Sequence, residues 1–329
     1  MAKLRLSVER AAALHRRAAA MADAAQRTVD STAAEPVPPH LPELAATLRT
    51  AAATLAPGWL GDPITATPPG PTPGGFVRIG EAQPVDDARF PAIVPLFGTG
   101  HLAINADARD PRVAGLLRSL VLRLIAAHPA GTVRVKAVDA TGTVFGPFQA
   151  LIPAGLMSAP VTDRAGLQAA LSDAEEWVQA PSARYTLLFV IAAFPALTDG
   201  PDQARIAALA QAGPAARLHL VVAGWPPLSA DGIAPPLPSA THVGLRNPYA
   251  VVGNPPGGEF GAAGALNAPV YLDPDPPLET IAAVTAQLAG RVTGTGSTLA
   301  ELLPEQPWQE NSAEGLAAVV GRAGDVTLT

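Results

Sequence analysis

The spacing of apolar positions along the chain predicts an α/β fold. Six short runs rich in aliphatic and β-branched residues are typical of buried strands, and segments with helical periodicity lie between them. The predicted strands cover residues 92–96, 101–105, 132–139, 185–192, 218–223 and 242–245. Strands that alternate with helices favour a mostly parallel sheet with helices on both faces.

Local signals place the helices of this domain. Asp110 followed by Pro111 is a typical helix start, and the pattern predicts a helix over residues 111–127. Further helices are predicted over residues 166–178, 202–212 and 279–288. The glycine- and proline-rich stretch 247–264 is predicted to be a surface loop.

The first part of the chain has a different pattern. An alanine-rich helix is predicted over residues 4–34, and a second helix over 41–55 follows a proline cluster, which together form a helical hairpin. Such a hairpin either packs on its own domain or pairs with another chain. The predicted domains are the hairpin (1–57), a proline-rich linker (58–75), the α/β domain (76–292) and a C-terminal extension (293–329).

Composition narrows the classes of function. Only 15% of the residues are charged and the net charge is −6, so nothing in the overall balance attracts nucleic acid. The absence of cysteine removes disulfides, thiolate metal sites and thiol nucleophiles, and it fits a cytoplasmic protein. The histidines are scattered without metal-ligand spacing, and no apolar run approaches the roughly 20 residues that span a membrane.

The segment after the second predicted strand would be the phosphate-binding loop of a P-loop domain. Such loops contain glycines whose amides surround the phosphates, a lysine, and a Ser or Thr that holds Mg²⁺. Here the segment contains Asn105, Asp107, Arg109, Asp110 and Arg112, with no glycine, lysine, serine or threonine. Asp110 is expected to cap the following helix with its own carboxylate and so to occupy the end that attracts phosphate.

The order of elements resembles the core of the FtsK/SpoIIIE family of DNA-translocating ATPases, within the HerA/FtsK superfamily. In that family a strand is followed by a GTTGSGKS-like loop, a helix and a second strand. The corresponding segments here are HLAI, the loop, and VAGLLRSLVLRLIAAHPAGTVRVKAVDATG. The resemblance covers about residues 90–226 and implies a P-loop NTPase-like, RecA-type sheet. It also implies that Asp139 matches the aspartate that ends the family's next strand.

Two further positions depart from the family's pattern. The segment YTLLFVIAAFP resembles the family's second acidic motif, LLVVIDEFPEL, but Ala192 and Ala193 stand where the Asp-Glu pair would organise Mg²⁺ and water. Trp225 falls near the family's polar sensor glutamine. With the phosphate loop, three separate chemical positions are altered together, which favours a degenerate, non-catalytic module with no bound cofactor.

The C-terminal run LAELLP, with Trp308 and GL and VGR after it, resembles the lead-in to a catalytic domain in multi-domain members of the family. We therefore expect the chain to be the front part of a longer translocase-like ATPase, or else to end in an ordinary edge strand. The expected partners are proteins: a second copy, or an active FtsK-like ATPase domain that this module supports or regulates.

Two alternatives remain open at the level of sequence. One is an ATPase that binds ATP and Mg²⁺ in an unorthodox pocket built with Arg109 and Asp139. The other is a DNA-contacting module in which Arg112, Arg118 and Arg123 lie on one helix, with only Arg112 near its exposed start.

Overall fold

A computed structural model describes most of the chain. It covers residues 15, 19–23, 27, 41–55, 75–85, 88–195, 198–225, 228–229, 232–233, 235–253, 265–293, 321–323 and 326–328. The predicted first helix lies almost entirely outside this part, although its described residues are helical. The predicted linker lies outside it apart from Gly75, and the predicted domain boundaries stay predictions.

Between residues 101 and 223, the described helices and strands follow one another in the order that the sequence pattern predicts. The helices are α1 (Leu41–Leu55), α2 (Pro111–Ala127), α3 (Arg164–Gln179), α4 (Gly200–Ala212) and α5 (Leu278–Thr293). The strands are β1 (Phe76–Val85), β2 (Ala88–Pro95), β3 (His101–Ile104), β4 (Val133–Asp139), β5 (Thr186–Ala193), β6 (Leu218–Ala223), β7 (Leu228–Ser229), β8 (Gly232–Ile233), β9 (Ala240–Leu245), β10 (Ala250–Gly253), β11 (Ala265–Leu272), β12 (Gly321–Ala323) and β13 (Val326–Leu328). The second predicted helix and the helix over 111–127 are confirmed at the same bounds.

The main sheet has nine strands in the order β2-β1-β11-β10-β9-β3-β6-β5-β4. Strands β9, β3, β6, β5 and β4 run parallel to one another, and β10, β11, β1 and β2 continue the sheet with antiparallel pairing. The predicted α/β class with flanking helices is therefore confirmed, and the parallel strands bring the carboxyl ends of β3, β4, β5 and β6 to one edge.

Both faces of β3, β5 and β6 are buried, which explains why these strands are apolar almost throughout. Strand β4, at the margin of the sheet, instead alternates valine with Arg134 and Lys136. In β5, Leu188, Val190 and Ala192 pack on the face covered by α2 and α5. The intervening Leu187, Phe189 and Ile191 pack on the face covered by α3 and α4. This period of two residues fixes the register of the central strands.

The antiparallel half departs from the sequence-based expectation. The stretch predicted to be a loop over 247–264 contains strand β10, which pairs with β9 and β11. Strand β11 was not predicted, because Asn267 and Pro269 interrupt its apolar pattern. Tertiary pairing overrides these weak local preferences.

The predicted C-terminal extension contains a two-stranded antiparallel pair, β12 with β13. Strand β13 begins at Val326. Within the described residues, no helix has the length and apolar character needed to cross a bilayer.

Candidate functional site

The segment between β3 and α2 lies at the carboxyl edge of the sheet and is held by its own main chain. The Ala108 amide donates to the carbonyl of Ala192 at 2.9 Å, and the Gly224 amide donates to the carbonyl of Ala106 at 2.9 Å. These bonds tie the segment to the ends of β5 and β6. The Ala108 amide and the Ala106 carbonyl are therefore engaged within the chain.

Asn105 joins this segment to the neighbouring strand β9. Its backbone amide donates to the carbonyl of Val243 at 3.0 Å, and its side-chain Oδ1 accepts from the Leu245 amide at 2.7 Å. The side-chain bond thus extends the pairing of β3 with β9 by one residue beyond the end of β3.

Asp107 and Arg109 contact each other on the same turn. The Arg109 amide donates to Asp107 Oδ1 at 3.0 Å, and the guanidinium lies 3.3 Å from Oδ2. The Arg109 side chain is 75% exposed. Gly224 has φ +80°, and a Cβ placed on it would lie 3.3 Å from Asp107 Cβ, so the turn packs closely against the end of β6. Arg109 consequently lies at the surface, beside a carboxylate.

Asp110 caps α2, as the sequence predicts. Its Oδ1 accepts from the Arg112 amide at 2.9 Å, and the Arg112 guanidinium donates to both carboxylate oxygens, at 3.1 and 2.7 Å. The hydrogen bond from the Arg112 side chain holds the pKa of Asp110 below its ordinary value. The carboxylate therefore carries its negative charge at neutral pH, at the helix end where phosphate would bind.

Two other helices at this edge begin in the same way. Asp163 accepts from the Gly166 amide at 2.7 Å at the start of α3, and Asp199 accepts from the Asp202 amide at 3.1 Å at the start of α4. Arg164 forms an ion pair with Asp199. The sequence signals the caps at Asp110 and Asp163, whereas the pair between Arg164 and Asp199 joins positions 35 residues apart and has no local signal.

Asp139 ends β4 and is buried, with 1% of its surface exposed. One carboxylate oxygen accepts from the backbone amides of Thr141 and Gly142 and from the Thr141 hydroxyl, at 3.2, 3.1 and 2.5 Å. The other accepts from the amides of Val144 and Phe145, at 2.8 and 3.4 Å. The side chain thereby fixes the turn that follows the strand.

We expect Asp139→Asn to lower the free energy of unfolding by about 2 kcal/mol, because an amide nitrogen cannot accept the bonds that one carboxylate oxygen receives. Urea denaturation followed by circular dichroism measures this loss. Thr141→Val is the matched control, since it removes one donor and is expected to cost about 1 kcal/mol. Equal stability of Asp139→Asn and the parent protein would contradict the structural role.

The remaining sequence-predicted positions are apolar and buried. Ala192 and Ala193 are fully buried at the end of β5, and Ala193 lies opposite Asp139 in the register of β5 with β4. Trp225 is 2% exposed, and its indole N–H donates to the carbonyl of Pro235 at 3.1 Å. Its ring lies 6.3 Å from the ring of Phe194. The structure thus brings all three positions to the edge that carries Asn105, where they supply packing.

The arginines of α2 that the DNA-contacting alternative requires are not available together. Arg123 is buried, lies 3.4 Å from Asp273 and donates to the Ser119 hydroxyl at 3.1 Å. Arg118 forms an ion pair with Asp275 and has only 12% of its side chain exposed. Both guanidinium groups hold the 273–275 segment against α2, and of the three arginines Arg112, at the start of the helix, has the most exposed side chain.

The segment of Asp273 and Asp275 packs directly on the helix. A Cβ on Gly115 would lie 2.8 Å from the Asp275 Cα, so only glycine allows this approach. Asp273 also accepts from the Arg78 guanidinium of β1, at 2.9 and 3.0 Å. Two arginines from different elements therefore share one nearly buried carboxylate.

His101 and His219 are structural, as the sequence indicates. The Leu220 amide donates to His101 Nδ1 at 2.9 Å, so His101 Nε2 carries the proton and donates to the carbonyl of Ala210 at 2.6 Å. His219 has the opposite tautomer, because its Nε2 accepts from the Gly98 amide at 3.0 Å and its Nδ1 donates to a carbonyl at 2.8 Å. Burial lowers the pKa of His101 to about 4 and also lowers that of His219.

Metal-binding geometry is missing from the described part of the chain: no three His, Asp or Glu side chains there could hold an ion together. Lys136, the one lysine in the α/β domain, forms an ion pair with Asp173 of α3.

A cleft of about 280 Å³ opens beside the start of α2, lined by Pro111, Arg112, Pro248, Tyr249 and residues 271–275. Arg112, its cationic lining residue, is already bound to Asp110.

Comparison with protein-family models finds no match, and a search of curated proteins finds none either. Among solved structures, EssC (ATPases 2 and 3) from Geobacillus thermodenitrificans is 12% identical with a TM-score of 0.48, over 71% of this chain. The cytoplasmic domain of the type VII secretion ATPase EccC of Thermomonospora curvata is 12% identical with a TM-score of 0.44, over 61%. EccC (ATPases 2 and 3) of the same organism, in complex with a signal sequence peptide, is 16% identical with a TM-score of 0.43, over 67%. The chain spans 53%, 26% and 47% of the lengths of these three proteins.

Proposed function

We propose that this chain is a non-catalytic, ATPase-like module that acts as a scaffold or regulator for an associated or following ATPase domain. The observation that carries the proposal is the Asp110 carboxylate, which caps α2 at the position where an ATPase of this architecture would bind phosphate. The module would keep the fold of an ATPase and leave hydrolysis to its partner.

The backbone of the same segment supports this proposal. A phosphate loop presents several free amides toward one point, and glycines allow that curvature. Here the amides of Ala108 and Asp110 donate within the chain, to the carbonyls of Ala192 and Asp107. A phosphate would therefore have to displace bonds that the fold already makes, in addition to meeting negative charge.

The side chains that would supply chemistry are committed elsewhere. Asp139 uses both carboxylate oxygens to fix its own turn, and Lys136 pairs with Asp173. Ala192 and Ala193 offer no ligand for Mg²⁺ and no base for water. An ATPase that relied on Arg109 and Asp139 would need one exposed cation and one buried carboxylate to act together on a single nucleotide.

Isothermal titration calorimetry with ATP and Mg²⁺ tests the proposal. We expect no saturable heat at nucleotide concentrations up to about 1 mM, the upper end of the usual Michaelis constants. A phosphate-release assay on the same sample is expected to stay at the rate of buffer.

The Arg109→Ala variant is the control for this experiment. Arg109 is largely exposed and its ion pair is with a residue on its own turn, so the variant should fold like the parent. ATP binding in the micromolar range that disappears in Arg109→Ala would contradict the non-catalytic assignment and favour a nucleotide-binding enzyme.

A further inference from the structure

A cluster of arginines lies at the amino edge of the parallel sheet, opposite the edge described above. Arg134 is the second residue of β4, Arg184 and Tyr185 directly precede β5, and Arg217 directly precedes β6. Because β4, β5 and β6 are parallel neighbours, their amino ends meet at one place. We call these four residues the amino-edge cluster.

Contacts within the chain hold the amino-edge cluster in place. The Arg134 guanidinium carbon lies 4.8 Å from the centre of the Tyr185 ring, and that of Arg184 lies 5.3 Å from it. Arg134 also donates to the carbonyl of Gly155, and Arg217 donates to the carbonyl of Ala183. Each of these two guanidinium groups keeps further N–H donors, since the group has five.

No carboxylate in the described part of the chain forms an ion pair with the cluster. In the part of the chain that the structure describes, Arg134, Arg184 and Arg217 form no ion pair, whereas Arg112, Arg118 and Arg205 each pair with an aspartate or glutamate. Arg184 and Arg217 are exposed. A chain with a net charge of −6 therefore has a local concentration of uncompensated positive charge at this edge.

We propose that the amino-edge cluster binds an acidic segment of a partner protein, one rich in glutamate and aspartate. Guanidinium groups bind carboxylates through paired hydrogen bonds, and the contacts with Tyr185 orient the groups in advance. This surface is separate from the α2 start, so its partner does not depend on whether nucleotide binds there.

The same observations disfavour nucleic acid as the partner. The Tyr185 ring already engages two guanidinium groups, so it is not a free platform for stacking bases. Three cations also provide fewer phosphate contacts than the roughly 6 to 10 of typical DNA-binding proteins, and the overall negative charge repels a polyanion.

Fluorescence anisotropy with a labelled peptide of alternating glutamate and aspartate tests the proposal. We expect saturable binding to the full chain, weakening with salt, and no binding of the matching peptide of glutamine and asparagine. The double substitution Arg184→Gln with Arg217→Gln should lower the affinity for the acidic peptide about ten-fold or more.

A control with the same change of net charge is Arg89→Gln with Arg246→Gln, two exposed arginines outside the cluster. It should change the affinity less than about two-fold. The charge reversal Arg184→Glu, at a single exposed position, should weaken binding more than the neutral substitution there. Circular dichroism verifies that each variant is folded.

Several results would overturn the proposal. These are a peptide that does not bind at low salt, equal losses in the two double variants, and an unchanged affinity in Arg184→Glu. Tighter binding of a single-stranded oligothymidylate than of the acidic peptide would also overturn it and would assign the cluster to nucleic acid.

Discussion

Asp273→Ala is expected to lower the free energy of unfolding by about 3 to 5 kcal/mol, because it removes the carboxylate that pairs with a buried guanidinium group. Arg123 has only 3% of its side chain exposed, and Asp273 also accepts two hydrogen bonds from Arg78. Removal of the carboxylate would therefore loosen the contact of β1 and α2 with the end of β11. Urea denaturation monitored by circular dichroism measures the effect.

Asp275→Ala is the matched control, two residues along the same segment. Its side chain is 45% exposed, and its partner Arg118 also donates to the carbonyls of Thr143 and Val144. We expect a loss of at most about 1 kcal/mol, as for exposed ion pairs. Equal losses for Asp273→Ala and Asp275→Ala would mean that the burial of the first pair does not determine its contribution.

Acidification is expected to destabilise the protein through its buried histidines, by about 3 kcal/mol from His101 alone. The folded-state pKa of His101 is lowered from 6.5 to about 4, first by burial. Between these pH values the unfolded chain binds a proton that the folded chain excludes, so stability falls as pH falls from 6.5 to about 4. Protonation would place an N–H at Nδ1 against the amide of Leu220, which already donates there.

The pH dependence of the urea midpoint separates this contribution from the others. We expect the parent protein to lose stability more steeply below pH 6.5 than His101→Asn does, by up to about 1.4 kcal/mol per pH unit. The same slope in the parent and in His101→Asn would show that His101 does not titrate with unfolding.

The parallel half of the fold is predictable from the sequence because its signals are local. Nearly continuous apolar runs mark β5 and β6, alternating valines mark β4, and the Asp110-Pro111 start fixes the first residue of α2. The antiparallel strands β10 and β11 lack such signals, since proline and asparagine interrupt β11 and pairing across the sheet defines both.

The candidate site is likewise predictable from the sequence only in part. The cap at Asp110 follows from adjacent residues and was predictable, and the position of Ala192 and Ala193 follows from the strand pattern. The hydrogen bonds by which Asp139 fixes its own turn are not predictable, because their donors are backbone amides, which carry no sequence signal. The shared carboxylate of Asp273 was not predictable either, since Arg78 lies 195 residues away.

The two margins of the sheet limit how the protein can assemble. At the β4 margin, the backbone of residues 156–161 exchanges hydrogen bonds with the backbone of Val135, Ala137 and Asp139. At the other margin, β2 contains Pro91 and Pro95, which lack an N–H, and the carbonyl of Arg89 accepts from the side chain of Arg49. Both edges thus resist the addition of a foreign strand. Copies of this domain, or a partner domain, would have to associate through side chains and helices rather than by extending the sheet into a fibre.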